Sequence, residues 1–181
     1  MLYPFIELLT TVLLSLLYVY VPTHYFFAYF IFFSALIVTI RTDIETMLIS
    51  RFVTLFLIPF GFLLTIFNLL PINLTESVIG TITGYLFLLI ISTLFEKITG
   101  KTGIGQGDLD LLAFIGAFTG IAGCWASLTI GSIFGSLFGI IYLFLLNYPR
   151  DTKIPFGPFL AFGAISFVLL HDFIFTHFFI L

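Results

Sequence analysis

Seven long apolar stretches, separated by short connections, constrain the fold of this chain more than any other feature. They cover residues 4–21, 25–40, 52–70, 77–95, 109–120, 125–146 and 159–180. Most approach the roughly 20 residues that an α-helix needs to cross a bilayer. Charged residues make up only 8% of the chain, against about 25% in a soluble domain. So few polar groups cannot cover a water-facing surface, so we predict an all-α, polytopic membrane helix bundle of about seven transmembrane helices.

The basic residues lie in every second connection between these stretches. They are Arg41, Arg51, Lys97, Lys101, Arg150 and Lys153. Because Lys and Arg are enriched in cytoplasmic loops, these connections are predicted to be cytoplasmic. The N-terminus would then be cytoplasmic and the C-terminus external, in a multi-pass protein of the inner (cytoplasmic) membrane. The first stretch lacks a basic flank and a small-residue cleavage site, so we expect a retained helix. No linker divides residues 1–181, which predicts a single domain.

Several classes of function find no support in the sequence. The net charge is −3 and there is no basic run, so a nucleic-acid partner is not expected. Cys124 is the only cysteine and the three histidines are scattered, so neither a metal site nor another cofactor is predicted. Glycines at four-residue spacing, such as Gly116 and Gly120, are predicted to let neighbouring helices pack closely.

Two charged segments carry candidate catalytic residues. They read "RTDIETMLISR", which contains Asp43, and "KITGKTGIGQGDLD", which contains Asp108. Each aspartate stands at the mouth of an apolar stretch, where acidic residues are candidates for function. Purely structural roles are the alternatives. Thr42 and Glu45 fit a capping box, and Asp108 suits the N-cap of the helix that follows it.

Three glycines precede Asp108 at alternate positions: Gly103, Gly105 and Gly107. An N-cap does not require them, whereas a glycine backbone can turn tightly or lie against another chain. We therefore predict that Gly105 and Gly107 form a turn at which an extended substrate peptide approaches the Asp108 carboxylate.

A pair of carboxylates suggests a specific chemistry. Two neighbouring carboxyl groups cannot both ionise cheaply, so one retains a proton while the other acts as a base. The base takes a proton from a water held between the two groups, and the acid protonates the carbonyl of the scissile bond. This hydrolysis needs no metal, cofactor, serine or cysteine.

At this point the motifs resemble a known family, the type IV prepilin peptidases, which are membrane aspartic peptidases of the GxGD kind. "GIGQGDLDLLAFIGAFTG" (103–120) is similar to the second catalytic motif of that family, and "RTDIETMLIS" (41–50) to the first. "IPFGPFLAFGA" (154–164) resembles a late segment. The resemblance implies that Asp43 and Asp108 are the catalytic pair. It also implies cleavage of the leader peptide of type IV prepilins or pseudopilins, on the cytoplasmic side.

The chain departs from the family pattern in several places. Larger members carry a zinc-binding insert with paired CxxC motifs and also methylate the new N-terminus. This chain resembles the short form, so zinc is not expected, and no cofactor-binding loop for methylation is recognisable. Asp110 stands where the family usually has lysine. We expect either that it modulates the pair by like-charge repulsion or that it faces solvent. Glu45 is a second possible modulator. The oligomeric state is not predicted.

Three other functions are compatible with these residues. The first alternative is a small proton- or ion-coupled transporter that uses the same carboxylates, although both lie in charged turns rather than at mid-span. Another is a presenilin-like protease acting on other membrane proteins, a class with a proline-alanine-leucine motif in place of the 154–164 segment. The last is a non-catalytic assembly subunit that retains the fold.

Overall fold

The computed structural model describes residues 2–100, 103–145 and 155–178, and all regular structure within them is α-helical. There are six helices: α1 (Leu2–Tyr20), α2 (Thr23–Thr46), α3 (Arg51–Ile66), α4 (Leu74–Thr99), α5 (Gln106–Leu145) and α6 (Gly157–Phe178). Among the described residues, α2, α4 and α5 are long and apolar enough to cross a membrane, and the others contain shorter apolar helices. The all-α prediction is confirmed. Lys101, Arg150 and Lys153, on which part of the predicted orientation rests, lie outside the described residues.

Helix α2 continues beyond its predicted end at Ile40. Its last turns include Arg41 and Glu45, which form an ion pair at 3.3 Å one turn apart, a spacing that supports a helix. The helix ends where Met47 takes a left-handed conformation (φ 55°) and donates its N–H to the carbonyl of Asp43. Asp43 consequently lies in the last turn of a helix rather than in a loop.

The predicted capping box at this position is wrong. Thr42 lies inside α2, and its hydroxyl donates to the carbonyl of Thr39 at 3.1 Å. Glu45 is paired with Arg41 instead of returning to a backbone N–H. The reason is that the helix already contains both residues, so no free helix start exists there to be capped.

Helix α5 joins two of the predicted apolar stretches in one element of 40 residues, interrupted by the non-helical backbone of Gly120 (φ 68°, ψ −166°). A Cβ built on Gly84 of α4 would lie 2.8 Å from the carbonyl oxygen of Leu112 and 3.0 Å from Cys124 Sγ. On a straight helix those two residues would be about 18 Å apart. The chain therefore reverses direction at Gly120, a backbone conformation that favours glycine. The connection predicted at residues 121–124 is helical instead.

Helices α4 and α5 cross at two glycines. A Cβ built on Gly80 would lie 2.6 Å from the carbonyl oxygen of Gly116, so the two backbones are in direct contact. Next to this crossing, the Ser77 hydroxyl donates to the carbonyl of Ala117 at 2.5 Å. Small residues and interhelical hydrogen bonds are the usual means of helix association in membranes. The predicted packing role of Gly116 is confirmed.

Replacing Gly80 with alanine is expected to lower the stability of the fold by roughly 1–3 kcal/mol, since overpacking of a tight contact forces backbones apart. The contact atoms belong to the backbone of Gly116 and Gly120 and cannot move aside as a side chain can. The measurement is the midpoint of thermal unfolding in detergent micelles. Gly135→Ala is the matched control, because its new Cβ would meet nothing closer than 3.4 Å. An unchanged midpoint for Gly80→Ala would contradict the close crossing.

The interior of the bundle is an aromatic cluster shared by α2 and α5. Phe32, Phe114 and Phe118 are fully buried, and the ring of Phe32 stacks on that of Phe118 with centroids 5.0 Å apart. This layer lies between two ends of the bundle. One end carries Asp43 and the start of α5, and the other carries the reversal at Gly120.

Candidate active site

The Asp43 carboxylate lies between the end of one helix and the start of another. The residue is only 5% exposed. Its Oδ2 accepts a hydrogen bond of 3.0 Å from the backbone N–H of Gly157, the first residue of α6. A negative charge is unfavourable at a helix C-terminus and favourable at a helix N-terminus. The start of α6 therefore stabilises a negative charge on Asp43, whereas the end of α2 does not.

A side chain at position 157 would displace the Asp43 carboxylate. A Cβ built there would lie 2.7 Å from Asp43 Oδ2 and 3.0 Å from Cδ1 of Ile49. The sequence pointed to the 154–164 segment but not to this contact. A sequence signal for this contact was present in the step from Gly157 to Pro158. Proline is favoured in the first turn of a helix, so this step indicates a helix N-terminus with free N–H groups.

Asp108 is the third residue of α5, so its prediction as an N-cap is wrong. The helix begins two residues earlier, at Gln106. The N–H of Asp108 donates to the carbonyl of Gly105 at 3.1 Å. The side chain is half-buried, and it stands in the first turn of the helix, where a carboxylate suits the helix dipole.

The structure brings Asp43 and Asp108 to the wall of the same cavity, which has a volume of about 1040 Å³. The negative charge of Asp43 acts electrostatically on the Asp108 carboxyl, so the two groups are close enough to interact. The rest of the wall is largely apolar. It includes Phe87 and Ile91 of α4, Trp125 and Leu128 of α5, and Pro155 and Phe156 before α6.

The three glycines of "GIGQGD" have different surroundings. A Cβ on Gly103 would lie 2.5 Å from the ring of Phe95, and one on Gly107 would lie 2.7 Å from Cβ of Ile49. At Gly105 the nearest atom would be Asp108 Oδ2, at 3.4 Å. Gly105 therefore leaves open space on the cavity wall, whereas the side chain of Ile49 occupies the space beside Gly107.

Asp110 does not face solvent, which was one of its two predicted arrangements. Its side chain is 2% exposed and accepts a hydrogen bond of 2.6 Å from Nε of Arg51. Its charge is balanced by the Arg51 guanidinium, and its role as a modulator of the pair stays a prediction. Glu45 lies on the exposed surface, paired with Arg41.

Within the described parts of the chain, no three His, Cys, Asp or Glu side chains cluster in a way that would hold a metal ion. Cys124 is buried and carries no disulfide. Among the described residues that line this cavity, the titratable side chains are the two carboxyls.

A membrane-type helix bundle with two acidic side chains on one cavity is the class of protein that the fold and the site define. Residues 30–144 match the sequence model of the type IV leader peptidase family. The chain belongs to this family.

Named relatives agree with this assignment. The chain is 36% identical over 162 residues to a prepilin leader peptidase/N-methyltransferase of Aeromonas salmonicida (strain A449), covering 88% of this chain and 55% of the relative. It is 34% identical over 164 residues to the Pseudomonas aeruginosa protein of that name, with the same coverage. The Legionella pneumophila protein is 36% identical over 168 residues, or 90% of this chain and 57% of the relative. The chain thus spans about half the length of the curated relatives it matches. No solved structure matches it.

Proposed function

We propose that this protein is a membrane aspartic endopeptidase that cleaves the leader peptide of type IV prepilins or pseudopilins. The observation that carries the proposal is the shared cavity of Asp43 and Asp108, whose positions on α2 and α5 are far apart in the chain. Membership of the type IV leader peptidase family supports it. We propose peptide cleavage alone; methylation of the new N-terminus is not part of the proposal.

In the proposed reaction, the two carboxyl groups share one proton and hold a water molecule between them. The ionised carboxylate takes a proton from the water while the water oxygen attacks the scissile carbonyl carbon. The protonated carboxyl gives its proton to the carbonyl oxygen. The pair titrates as a unit, so neither residue is assigned a fixed role. The hydrogen bond from Gly157 N–H orients the Asp43 carboxylate.

The proposed substrate path passes Gly105. This residue leaves room beside the Asp108 carboxylate, which would let an extended peptide backbone approach the pair. Beyond it, the apolar wall formed by Phe87, Ile91 and Trp125 suits the apolar helix that follows a leader peptide. The occupied space beside Gly107 suggests that this second glycine serves packing against Ile49 rather than substrate access.

The proposed topology has seven membrane crossings, with α5 crossing twice because it reverses at Gly120. The carboxylate end of the bundle also carries Arg41, Arg51 and, at the end of α4, Lys97. By the positive-inside rule this end would face the cytoplasm, with the protein in the inner membrane. Cleavage would then take place on the cytoplasmic side.

The transporter alternative is not favoured by the interior of the bundle. Tyr29 of α2 lines a second cavity, near Gly120. Between Tyr29 and Asp43, helix α2 carries the fully buried side chains of Phe32 and Leu36. These side chains fill the space that a path between the two ends would need.

The experiment that tests the proposal uses purified full-length protein in liposomes and a synthetic peptide with a leader followed by an apolar helix. The expected result is cleavage at a single bond between the leader and the helix, detected by mass spectrometry of the products. A parallel measurement of proton flux across the membrane of the same liposomes tests the transporter alternative. Folded protein that leaves the peptide intact and conducts protons would contradict the proposed function.

A further inference from the structure

We propose that the ion pair between Arg51 and Asp110 holds the α2–α3 connection against the candidate active site, which makes both side chains positioning residues. The connection is the segment of residues 47–50, between the end of α2 and the start of α3. The catalytic part of this inference rests on the proposed function, whereas the structural part does not.

The pair joins two helix starts next to the cavity. Arg51 is the first residue of α3, and Asp110 follows Asp108 by two positions in α5. Their atoms are 2.6 Å apart, and their side chains are 53% and 2% exposed, respectively. A hydrogen bond between charged groups is stronger than a neutral one, and removing one partner of a buried ion pair is strongly destabilising. The pair therefore fixes the start of α3 to α5.

The connection that the pair restrains touches both halves of the site. Met47 lines the cavity. The side chain of Ile49 packs on Gly107, the residue before Asp108, and on Gly157, the residue that binds Asp43. Ile49 thus sits between the two backbone segments that position the carboxylates.

The conformation of this connection needs an external restraint. Met47 has a φ of 55°, a region that non-glycine residues rarely adopt. Met47, Leu48 and Ser50 are all exposed, so the connection has little buried surface of its own apart from Ile49. When the ion pair is broken, we expect the connection to move away and the contact of Ile49 with Gly157 to loosen. Misplacement of a reacting group by about 1 Å can cost a factor of 10² in rate.

The structural part is tested by hydrogen exchange of the backbone amides of Met47, Val53 and Thr54 in the full-length protein, which donate to the carbonyls of Asp43 and Ser50 at the two ends of the connection. Asp110→Asn and Arg51→Gln are expected to raise the exchange rate at least about tenfold. A tenfold faster exchange corresponds to a loss of about 1.4 kcal/mol, and a hydrogen bond between charged groups contributes more than that. Arg51→Lys retains the positive charge and should stay within threefold of wild type. The controls are Glu96→Gln and Lys97→Gln, exposed charges at the end of α4. Unchanged exchange in both Asp110→Asn and Arg51→Gln would overturn the proposal.

The catalytic part is tested with the peptide-cleavage assay on the same variants. Asp110→Asn and Arg51→Gln are each expected to lower kcat about tenfold with KM within twofold. The double variant should be no worse than either single one, because the two residues act as a unit, and Arg51→Lys should restore most of kcat. If Asp110→Asn does not fold, the comparison of Arg51→Gln with Arg51→Lys carries the test, since Arg51 is half exposed.

The outcomes separate this inference from the proposed function. Wild-type protein that does not cleave the peptide contradicts the proposed function, and hydrogen exchange still decides whether the pair restrains the connection. Wild-type cleavage with unchanged kcat in both single variants overturns the positioning role alone. A rise in KM at constant kcat also overturns it, because the pair would then contribute to substrate binding.

Discussion

Replacing either Asp43 or Asp108 with asparagine is expected to abolish leader-peptide cleavage, with a loss of at least about 10³-fold in kcat. Asparagine has nearly the same shape but can neither take a proton from water nor give one to a carbonyl, and positioned acid–base groups contribute about 10²–10⁴-fold each. Because the two carboxyls act as one unit, the double variant should be no less active than either single variant. The measurement is the initial rate of cleavage by purified protein in liposomes.

This loss must be separated from a failure to fold. Each variant should retain the thermal unfolding midpoint of the wild-type protein in detergent, or exceed it, since one member of a buried, negatively charged pair is replaced by a neutral amide. Glu96→Gln removes a carboxylate from the exposed surface of α4 and should cleave at the wild-type rate. Full activity in either Asp43→Asn or Asp108→Asn would rule out the pair.

Replacing Gly157 with alanine is expected to lower kcat by about 10²-fold, although the change adds one methyl group. The new Cβ would lie 2.7 Å from Asp43 Oδ2, too close for a non-bonded contact. The carboxylate must therefore turn away, and it loses the 3.0 Å hydrogen bond from the N–H of residue 157. The same assay measures this effect, with kcat and KM determined separately.

The matched control for Gly157→Ala is Gly135→Ala. Position 135 is also a helical glycine, but its Cβ would contact only the rings of Phe159 and Phe156, at 3.4–3.6 Å. This variant should keep kcat within twofold of wild type. If Gly157→Ala cleaved as fast as Gly135→Ala, the contact between Asp43 and the start of α6 would have no part in the reaction.

The helices were predictable from the sequence because apolar stretches of this length have few other ways to satisfy their backbone groups in a bilayer. Their ends were less predictable. Helix α2 continues through Asp43 into a polar turn that carries the Arg41–Glu45 pair, and a count of apolar residues does not detect such a turn. The reversal at Gly120 needs no polar loop, so a method that looks for polar connections places it a few residues too late.

The motifs predict the two aspartates as the candidate pair, but they do not predict the surroundings of either carboxyl. The hydrogen bond from Gly157 reaches Asp43 across 114 residues of chain, and the pair of Arg51 with Asp110 spans 59. Contacts at such separations depend on how the helices pack, which local patterns do not encode. The partner of Asp110 lies on another helix, so the neighbours of Asp110 in the sequence do not indicate a buried ion pair.

In the proposed reaction, a water molecule activated by the two carboxyls attacks the peptide bond directly. The most direct test is single-turnover cleavage in H₂¹⁸O with hydroxylamine present, with products analysed by mass spectrometry. Direct attack predicts one ¹⁸O in the new carboxylate and no hydroxamate, because no acyl-enzyme forms. A peptide hydroxamate, or a covalent adduct between the leader and a side chain of the protein, would contradict the account.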